Sequence, residues 1–478
     1  MGETRTLREA IIYNDLAGIV GYDHVSQDEV TRQAYVSDLS WLGRTWPRRG
    51  WPTTKPDFIV WPETTEQVSQ VLQLANVHKV PVTPYCGGAG VQGGTIPLYG
   101  GIVLDVKRLN HVLKIDERNL TVTSQTGIIG QDLEWTLNAK GYTYAHIPQS
   151  SYCSGLGGFL AARSAGVLST KYGKIADMVL GLEVVLPSGK IIRTRPVPRT
   201  AAGPNLNHLF LGSEGTLGVI TEATLAIHPM PEERRFRGIQ FPSLHAAMEG
   251  ARKILRRGLR PAAMRVSDEI EGRVLYKQEG SLMIFCFDGF KELVDLEERG
   301  AIEIAKAEGG ADLGPEPGER WWKHRYTIAY PTDKGALAAL GPDALVVGGV
   351  IDTAGSFDYL EAVHEEMGKA VNRIRGTIFL AHFSHWYKTG GMMYPYVLNT
   401  SAKSEEEMAD LYFKLQRAAV DAILKLGGTI NHHHGIGLTL GGFMKDEFGA
   451  GFGTLQDIKR VLDPNNIMNP GKLGFEGR

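Results

Sequence analysis

The sequence predicts an α+β protein with two main domains, and three features predict it. The 478 residues suffice for more than one domain at roughly 100–200 residues each. Short apolar runs bounded by glycine and proline alternate with stretches of helical spacing along the whole chain. After residues 229–233 the pattern changes: short strands and glycine loops give way to longer, charged helices set between strands, as in an α+β domain with an antiparallel sheet.

The elements follow in order. Residues 1–52 are mixed and polar, with Trp41, Trp46 and Trp51, and read as an N-terminal arm. Residues 56–61 (PDFIVW) form a strand closed by Pro62. Residues 64–78 show helical spacing, with Val68, Val71, Leu72 and Ala75 on one face and Thr64 or Thr65 as cap. Strands follow at 80–85, 101–106 and 120–124, and a helix at 131–140. A hairpin spans 179–186 and 190–194 around Pro187-Ser188-Gly189. The strand 219–227 ends this domain, 53–231. In the second, 232–428, helices are expected at 243–258, 291–307, 357–372 and 404–426, and strands at 282–287, 344–350 and 377–382. The C-terminal segment, 429–478, carries a helix at 455–462.

Composition excludes several function classes. Lys and Arg total 51 against 53 Asp and Glu, so no global basic field attracts nucleic acid. Cys86, Cys153 and Cys286 are too few and too scattered for a disulfide framework or a four-cysteine zinc site, which suits a reducing cytoplasm. No apolar run is long enough to span a bilayer. The start, MGETRT, matches the short myristoylation pattern at Gly2 and Thr6, which leaves a peripheral membrane contact open. The 58 glycines, against a usual ~7 %, cluster where backbone must approach a ligand closely.

One cluster, CGGAGVQGG at 86–94, satisfies G-x-G-x-x-G through Gly88, Gly90 and Gly93 after a strand. A Rossmann site requires a helix directly behind the loop. Here Pro97 and Gly100-Gly101 precede another strand, so NAD is excluded and a nest of backbone N–H groups between two strands is expected. Such a nest can hold a pyrophosphate.

The loop is one of five ordered motifs. Residues 56–90, then Pro148 with Gly155-Leu-Gly157-Gly158 and Ser164-Ala-Gly166, then Tyr172-Gly173 with LEVVLPSG, then GSEGTLGVITEA at 212–223, and finally DPNNIMNPGK at 463–472 together resemble the vanillyl-alcohol oxidase / p-cresol methylhydroxylase (PCMH-type) superfamily. The resemblance covers the chain from about residue 53 to its end. It implies a two-subdomain FAD-binding domain, a cap domain bearing the substrate, and a C-terminal segment that returns to close the flavin site. It implies FAD contacted by Cys86, Gly87, Gly88, Ala89, Gly90, Val91 and Gly93; by Pro148, Ser150, Ser151, Cys153, Gly155, Gly157, Gly158 and Gly166; by Glu214, Gly215, Gly218, Val219 and Ile220; and by Asn469. Some relatives attach the flavin near the position of Cys153, but its spacing to the glycines is shorter than theirs and a cysteine is more often a small buried hydrophobe, so the FAD is expected to be non-covalent. Its partners would be a small-molecule substrate and an electron acceptor (oxygen, a quinone, a cytochrome or an electron-transferring flavoprotein). A homodimer is expected.

Two stretches bear on the chemistry. The first runs from His382 to Tyr396, and the second is Asn431-His432-His433-His434-Gly435-Ile436-Gly437. In the D-lactate and glycolate dehydrogenase branch, the matching residues hold a metal. Here Thr389 replaces a metal-binding histidine and His433 the glutamate, so no metal is expected, and no nearby carboxylate is apparent to complete a set with His382, His433 and His434. The triple histidine and Tyr394 are instead similar to alkyldihydroxyacetonephosphate synthase. The arginine that binds phosphate in that synthase is expected near residues 326–334, where Arg325 is the nearest candidate. His382 and His385, three apart on a strand, should face opposite ways. Trp321, Trp322, Trp386 and Tyr387 are candidates for an apolar pocket. The expected activity is oxidation of a hydroxyl-bearing small molecule by hydride transfer to flavin N5. One of His432, His433 and His434 would serve as base, Tyr394 would bind the substrate oxygen, and Arg325 or Lys388 a substrate anion. The alternative is a flavin-dependent transferase of the synthase type without net redox change.

Overall fold

A computed structural model describes residues 2–48, 54–326 and 347–478. Trp51 and residues 327–334, part of the stretch expected to carry a phosphate-binding arginine, lie outside the described residues.

Two small sheets make the first domain. In one, β1 (Val25–Ser26), β2 (Phe58–Val60), β3 (Val82–Tyr85) and β4 (Ile102–Asp105) take the order β1–β2–β4–β3. Both β2 and β3 run parallel to β4, so each connection must cross over. The first crossover is the helix Thr65–His78, whose cap Thr64 accepts from Gln67 N at 3.1 Å and whose apolar face is fully buried. The second, from β3 to β4, is made by the glycine loop. The other sheet is antiparallel: β5 (Val112–Asp116), β6 (Thr121–Gln125), β7 (Val179–Val185), β8 (Ile191–Arg193) and β9 (Val219–Ala226), in the order β5–β6–β9–β7–β8.

The arm departs from the polar segment expected. It opens with the helix Gly2–Val20, which buries Ile12, Leu16, Ala17 and Val20 against the core of the first sheet. Its end ties the domains together. Leu39 N donates to Gly90 O in the glycine loop at 2.9 Å. Trp41 stacks on Tyr412 of the cap helix Glu405–Lys425, with centroids 4.4 Å apart.

The cap is built on an antiparallel sheet of β10 (Glu233–Phe241), β11 (Ala263–Ser267), β12 (Ser281–Gly289), β13 (Val347–Val350), β14 (Thr377–Tyr387) and β15 (Gly390–Asn399), in the order β10–β12–β11–β14–β15–β13. Two of these strands escape a sequence reading. β10 begins where the linker expected at 229–233 ends, and Arg234, Arg235 and Arg237 interrupt its apolar pattern; Asp288 takes Arg234 at 3.1 Å, and Glu298 takes Arg235 at 3.1 Å and Arg237 at 2.7 Å. β11 is wholly buried despite Arg265. Among the described residues, no helix is long and apolar enough to cross a membrane.

The tail returns to the first domain. Lys459 Nζ, buried, donates to Thr216 O and Met468 O at 3.0 and 2.8 Å. Asn469 N donates to Val82 O at 2.8 Å. This return sets residues 431–437 beside both domains.

Candidate active site

The glycines of the first domain are spaced by contact. A Cβ on Gly87 would lie 1.9 Å from Cys153 O, and one on Gly155 would lie 2.0 Å from Cys86 Sγ. The loops at 86–94 and 150–158 therefore touch through positions that only glycine fits. Gly88 (φ +60°) and Gly93 (φ +76°) use left-handed backbone, while a Cβ on Gly158 would meet nothing within 4 Å. Thr95 Oγ1, Asn469 Oδ1 and His146 Nδ1 are buried polar atoms without a hydrogen-bond partner among the described residues. An uncrowded glycine and buried orphan polar atoms on or beside these motifs fit a polar cofactor, and each is a group that FAD could satisfy.

Several of the residues expected at the cofactor also tie the scaffold together. Cys86 is buried, its Sγ 3.6 Å from Gly127 O, and burial raises its thiol to about 12. It packs the loops together. Glu214 spends both oxygens on the C-terminal loop, accepting from Ile436 N at 2.6 Å and Gly437 N at 2.8 Å. Burial pushes its carboxyl up to about 7 against those amides. Asn469 Nδ2 donates to Gly94 O at 2.9 Å and Glu214 O at 2.8 Å. Gly166 packs on Ile147 N, Gly215 (φ +73°) on Pro84 and Gly218 on Val185 O. Val219 and Ile220 begin β9, both buried. Ser151 Oγ is tied to Pro148 O at 2.6 Å and Cys153 Sγ lies 3.5 Å from Ser150 O. Between Ala89 and Val91, Gly90 O accepts from Leu39 N of the arm at 2.9 Å.

The histidines converge on one wall. His382 and Tyr394 are directly opposed on β14 and β15 and stack at 5.0 Å. Tyr394 meets His434 edge-on at 5.4 Å, and His433 and His434 lie 3.9 Å apart. His385 does not face away, contrary to its spacing. A bulge sets His385 and Trp386 against the single residue Gly391, with His385 at φ +51°. The bulge re-aims the side chain, so its ring lies 5.0 Å from His433 and 5.4 Å from His432. Trp386 turns into the core, its Nε1 on Met264 O at 2.8 Å.

The carboxylate missing from the motif arrives from elsewhere. Asp352, buried just after β13, lies 2.6 Å from His434 Nδ1 and 2.9 Å from His433 Nδ1. Asp352, His433 and His434 could in principle hold a metal ion, so the expectation that no carboxylate completes the histidine set is corrected. Sequence proximity could not show it, because the partners are some 80 positions apart. Burial alone would raise the Asp352 carboxyl, but the facing His434 and His433 rings hold it well below the usual carboxylate range. Burial, with His434 beside it, pushes His433 down to about 4. His432 and His385 are likewise pushed well down by burial, and Tyr394 is pushed well up.

Four further side chains complete the surroundings. His146, two residues before Pro148, is buried and pushed down to about 3, with Nε2 2.8 Å from Ser164 Oγ. Lys174 Nζ donates to His432 O, and burial lowers it to about 8. Behind His382, Glu271 lies 3.3 Å from its Nδ1 and pairs with Arg265 through two bonds of 2.8 and 3.0 Å. Arg325 stands apart from this cluster: its guanidinium covers the rings of Trp322 and Tyr326 at 3.8 and 4.2 Å. Lys388 lies exposed on the hairpin turn.

Comparison with known proteins agrees with this architecture. Residues 56–195 match the FAD binding domain, and residues 230–473 match the FAD linked oxidases, C-terminal domain. The chain is 33 % identical to an uncharacterized FAD-linked oxidoreductase, YgcU, of Escherichia coli K12, over 98 % of this chain and 99 % of that one. It is 28 % identical to the alkyldihydroxyacetonephosphate synthase of Trypanosoma brucei brucei, over 96 % and 80 %. A solved alkyldihydroxyacetonephosphate synthase superposes with TM-score 0.79 at 26 % identity, covering 96 % of this chain and 85 % of that one. Substrate-bound p-cresol methylhydroxylase superposes with TM-score 0.76 at 18 % identity, over 98 % and 97 %, a likeness of fold. With its glycine loops, orphan polar atoms and returning tail matched to both halves of this architecture, the chain belongs to the FAD-linked oxidase family and uses FAD as its cofactor.

Proposed function

We propose that the protein oxidises a hydroxyl group on a small molecule to a carbonyl. The observation that carries this reading is the placement of His433 and His434 on the one carboxylate of Asp352, beside the ring of Tyr394. When bound, FAD supplies the hydride acceptor. The protein's part is proton handling. His433 is neutral at neutral pH and can accept the substrate O–H proton. Tyr394, protonated over the same range, can donate to the substrate oxygen and fix it. Arg325 has no role in this reading, since its charge is spent on Trp322 and Tyr326.

The triple histidine with Tyr394 also favours a second reading, a synthase-type reaction without net redox change, as in the relative of that name. Anaerobic flavin absorbance separates the two. A panel of alcohols and 2-hydroxy acids should include one that bleaches the flavin, with colour restored by an added acceptor. A spectral change that passes no electrons to any acceptor supports the second reading. A flavin indifferent to every compound of both classes refutes both.

A further inference from the structure

Asp352 lies outside every motif, on the segment after β13, yet it organises the histidine loop. Its Oδ1 accepts from Asn431 Nδ2 at 2.8 Å and lies 2.6 Å from His434 Nδ1. Its Oδ2 accepts from His432 N and His433 N, both at 2.8 Å, and lies 2.9 Å from His433 Nδ1. We propose that Asp352 is the positioning residue of this site, fixing His433 and His434 as Nδ1–H tautomers so that each Nε2 lone pair is free to take a proton. The inference rests on the oxidation reading for its catalytic consequence.

The donor arithmetic leaves one consistent pattern. An ionised carboxylate only accepts, so His434 Nδ1 carries its proton. His433 Nδ1 lies 2.9 Å from Asp352 Oδ2 and 3.1 Å from His432 Nδ1. A lone pair on His433 Nδ1 would face the carboxylate oxygen, so the proton sits there, which makes His432 Nδ1 an acceptor and places the His432 proton on Nε2. That Nε2–H then donates to Tyr387 Oη at 2.7 Å, and the Tyr387 O–H is left to donate elsewhere. One buried charge thereby sets three imidazoles and a hydroxyl. Metal ligation accounts for the distances less well. Two ligands of one tetrahedral ion, with bonds of roughly 2.0–2.2 Å, lie about 3.4 Å apart, whereas Asp352 Oδ1 and His434 Nδ1 are 2.6 Å apart.

The test uses FAD-loaded protein with 15N-labelled histidine, assigned through H433Q and H434Q. The expected spectrum shows protonated Nδ1 and unprotonated Nε2 at both residues near neutral pH. Asp352→Asn, whose amide must donate on one side, should switch at least one of them to Nε2–H. With a reacting alcohol in hand, the same variant should lower kcat by ~10²–10⁴-fold with little change in KM, and Asp352→Glu should recover part of it. Nε2–H at His433 or His434 in the wild type overturns the proposal. So does an unchanged D352N spectrum, or a stoichiometric metal that D352N loses. If the tautomers are as stated and no alcohol reacts, the oxidation reading falls and the assignment to Asp352 stands.

Discussion

Gly87→Ala tests whether contact between two loops builds the cofactor site. The new Cβ would start 1.9 Å from Cys153 O, 2.9 Å from Cys153 C and 3.0 Å from Ser154 Cα. A relaxed carbon–oxygen contact is about 3.3 Å, so the loops must separate by roughly 1.4 Å or strain by an equivalent amount. Forced overpacking of this kind costs about 1–3 kcal/mol. If that cost falls on the cofactor-competent arrangement, FAD affinity drops roughly 5–150-fold. Titration of apoprotein with FAD, followed by flavin fluorescence, reads this directly. Gly158→Ala is the control, because its Cβ meets no protein atom within 4 Å. It should leave the Tm of the apoprotein unchanged and weaken FAD only if the cofactor itself lies against Gly158. A Gly87→Ala protein with wild-type Tm and FAD affinity would refute the packing argument.

Tyr394→Phe should retain FAD and lose ~10²–10⁴-fold in turnover of a reacting alcohol; full turnover would make Tyr394 a core aromatic. FAD should be released when the protein is precipitated with acid, and yellow colour that stays with the polypeptide would show a covalent bond. Trp41→Ala should cost about 3–5 kcal/mol in denaturant unfolding, since the ring is buried and stacked on Tyr412. Acid should destabilise the fold. His146 and His433, held at about 3 and about 4, refuse protons that the unfolded chain takes up below about pH 6.5, so stability present above that pH is lost as it falls. Each contributes about 1.4 kcal/mol per pH unit. Glu214, raised to about 7, binds its proton more tightly when folded and offsets one of them between about pH 7 and 4.5. Urea midpoints should therefore fall from pH 6 to pH 5, and fall more steeply in Glu214→Gln; a midpoint that rises on acidification contradicts this balance.

What the sequence made legible was local. The glycine loops, most first-domain strands and the long cap helices follow from period, caps and turns, each readable within about fifteen residues, whereas β1, β5 and the helix Glu316–His324 leave no such signal. The cofactor followed from the family resemblance that five ordered motifs carry. β10 was hidden because its arginines face acids on the next strand and helix, a pairing invisible along the chain. His385 was misplaced because a bulge adds one residue without changing composition. Asp352 follows an apolar run, which is the only trace it leaves, and its partners lie some 80 positions away. His146 and Lys174 reach the histidine wall from the first domain and carry no motif that marks them.

The charges around the wall also bear on which substrates fit. Arg265 is fully engaged, both terminal nitrogens bound to Glu271, so it has little charge to offer an anion. Arg325 lies against its own aromatic neighbours. Among the described residues, the cation nearest the histidines is Lys174, which is bound to a backbone carbonyl and lowered to about 8 by burial. Its charge and that of Asp352 roughly cancel, and burial holds His433, His432 and His385 below the usual histidine range. A phosphate dianion entering this space would need more positive charge than these residues supply, and it would have to come from outside the described segments or by protonating the histidines. Protonating them removes the acceptors that alcohol oxidation needs. An uncharged hydroxyl makes neither demand: it loses its proton to a histidine whose new charge Asp352 already faces at 2.6 or 2.9 Å. The electrostatics therefore favour a reaction in which a proton enters this wall over one that requires the wall to hold a fixed anion.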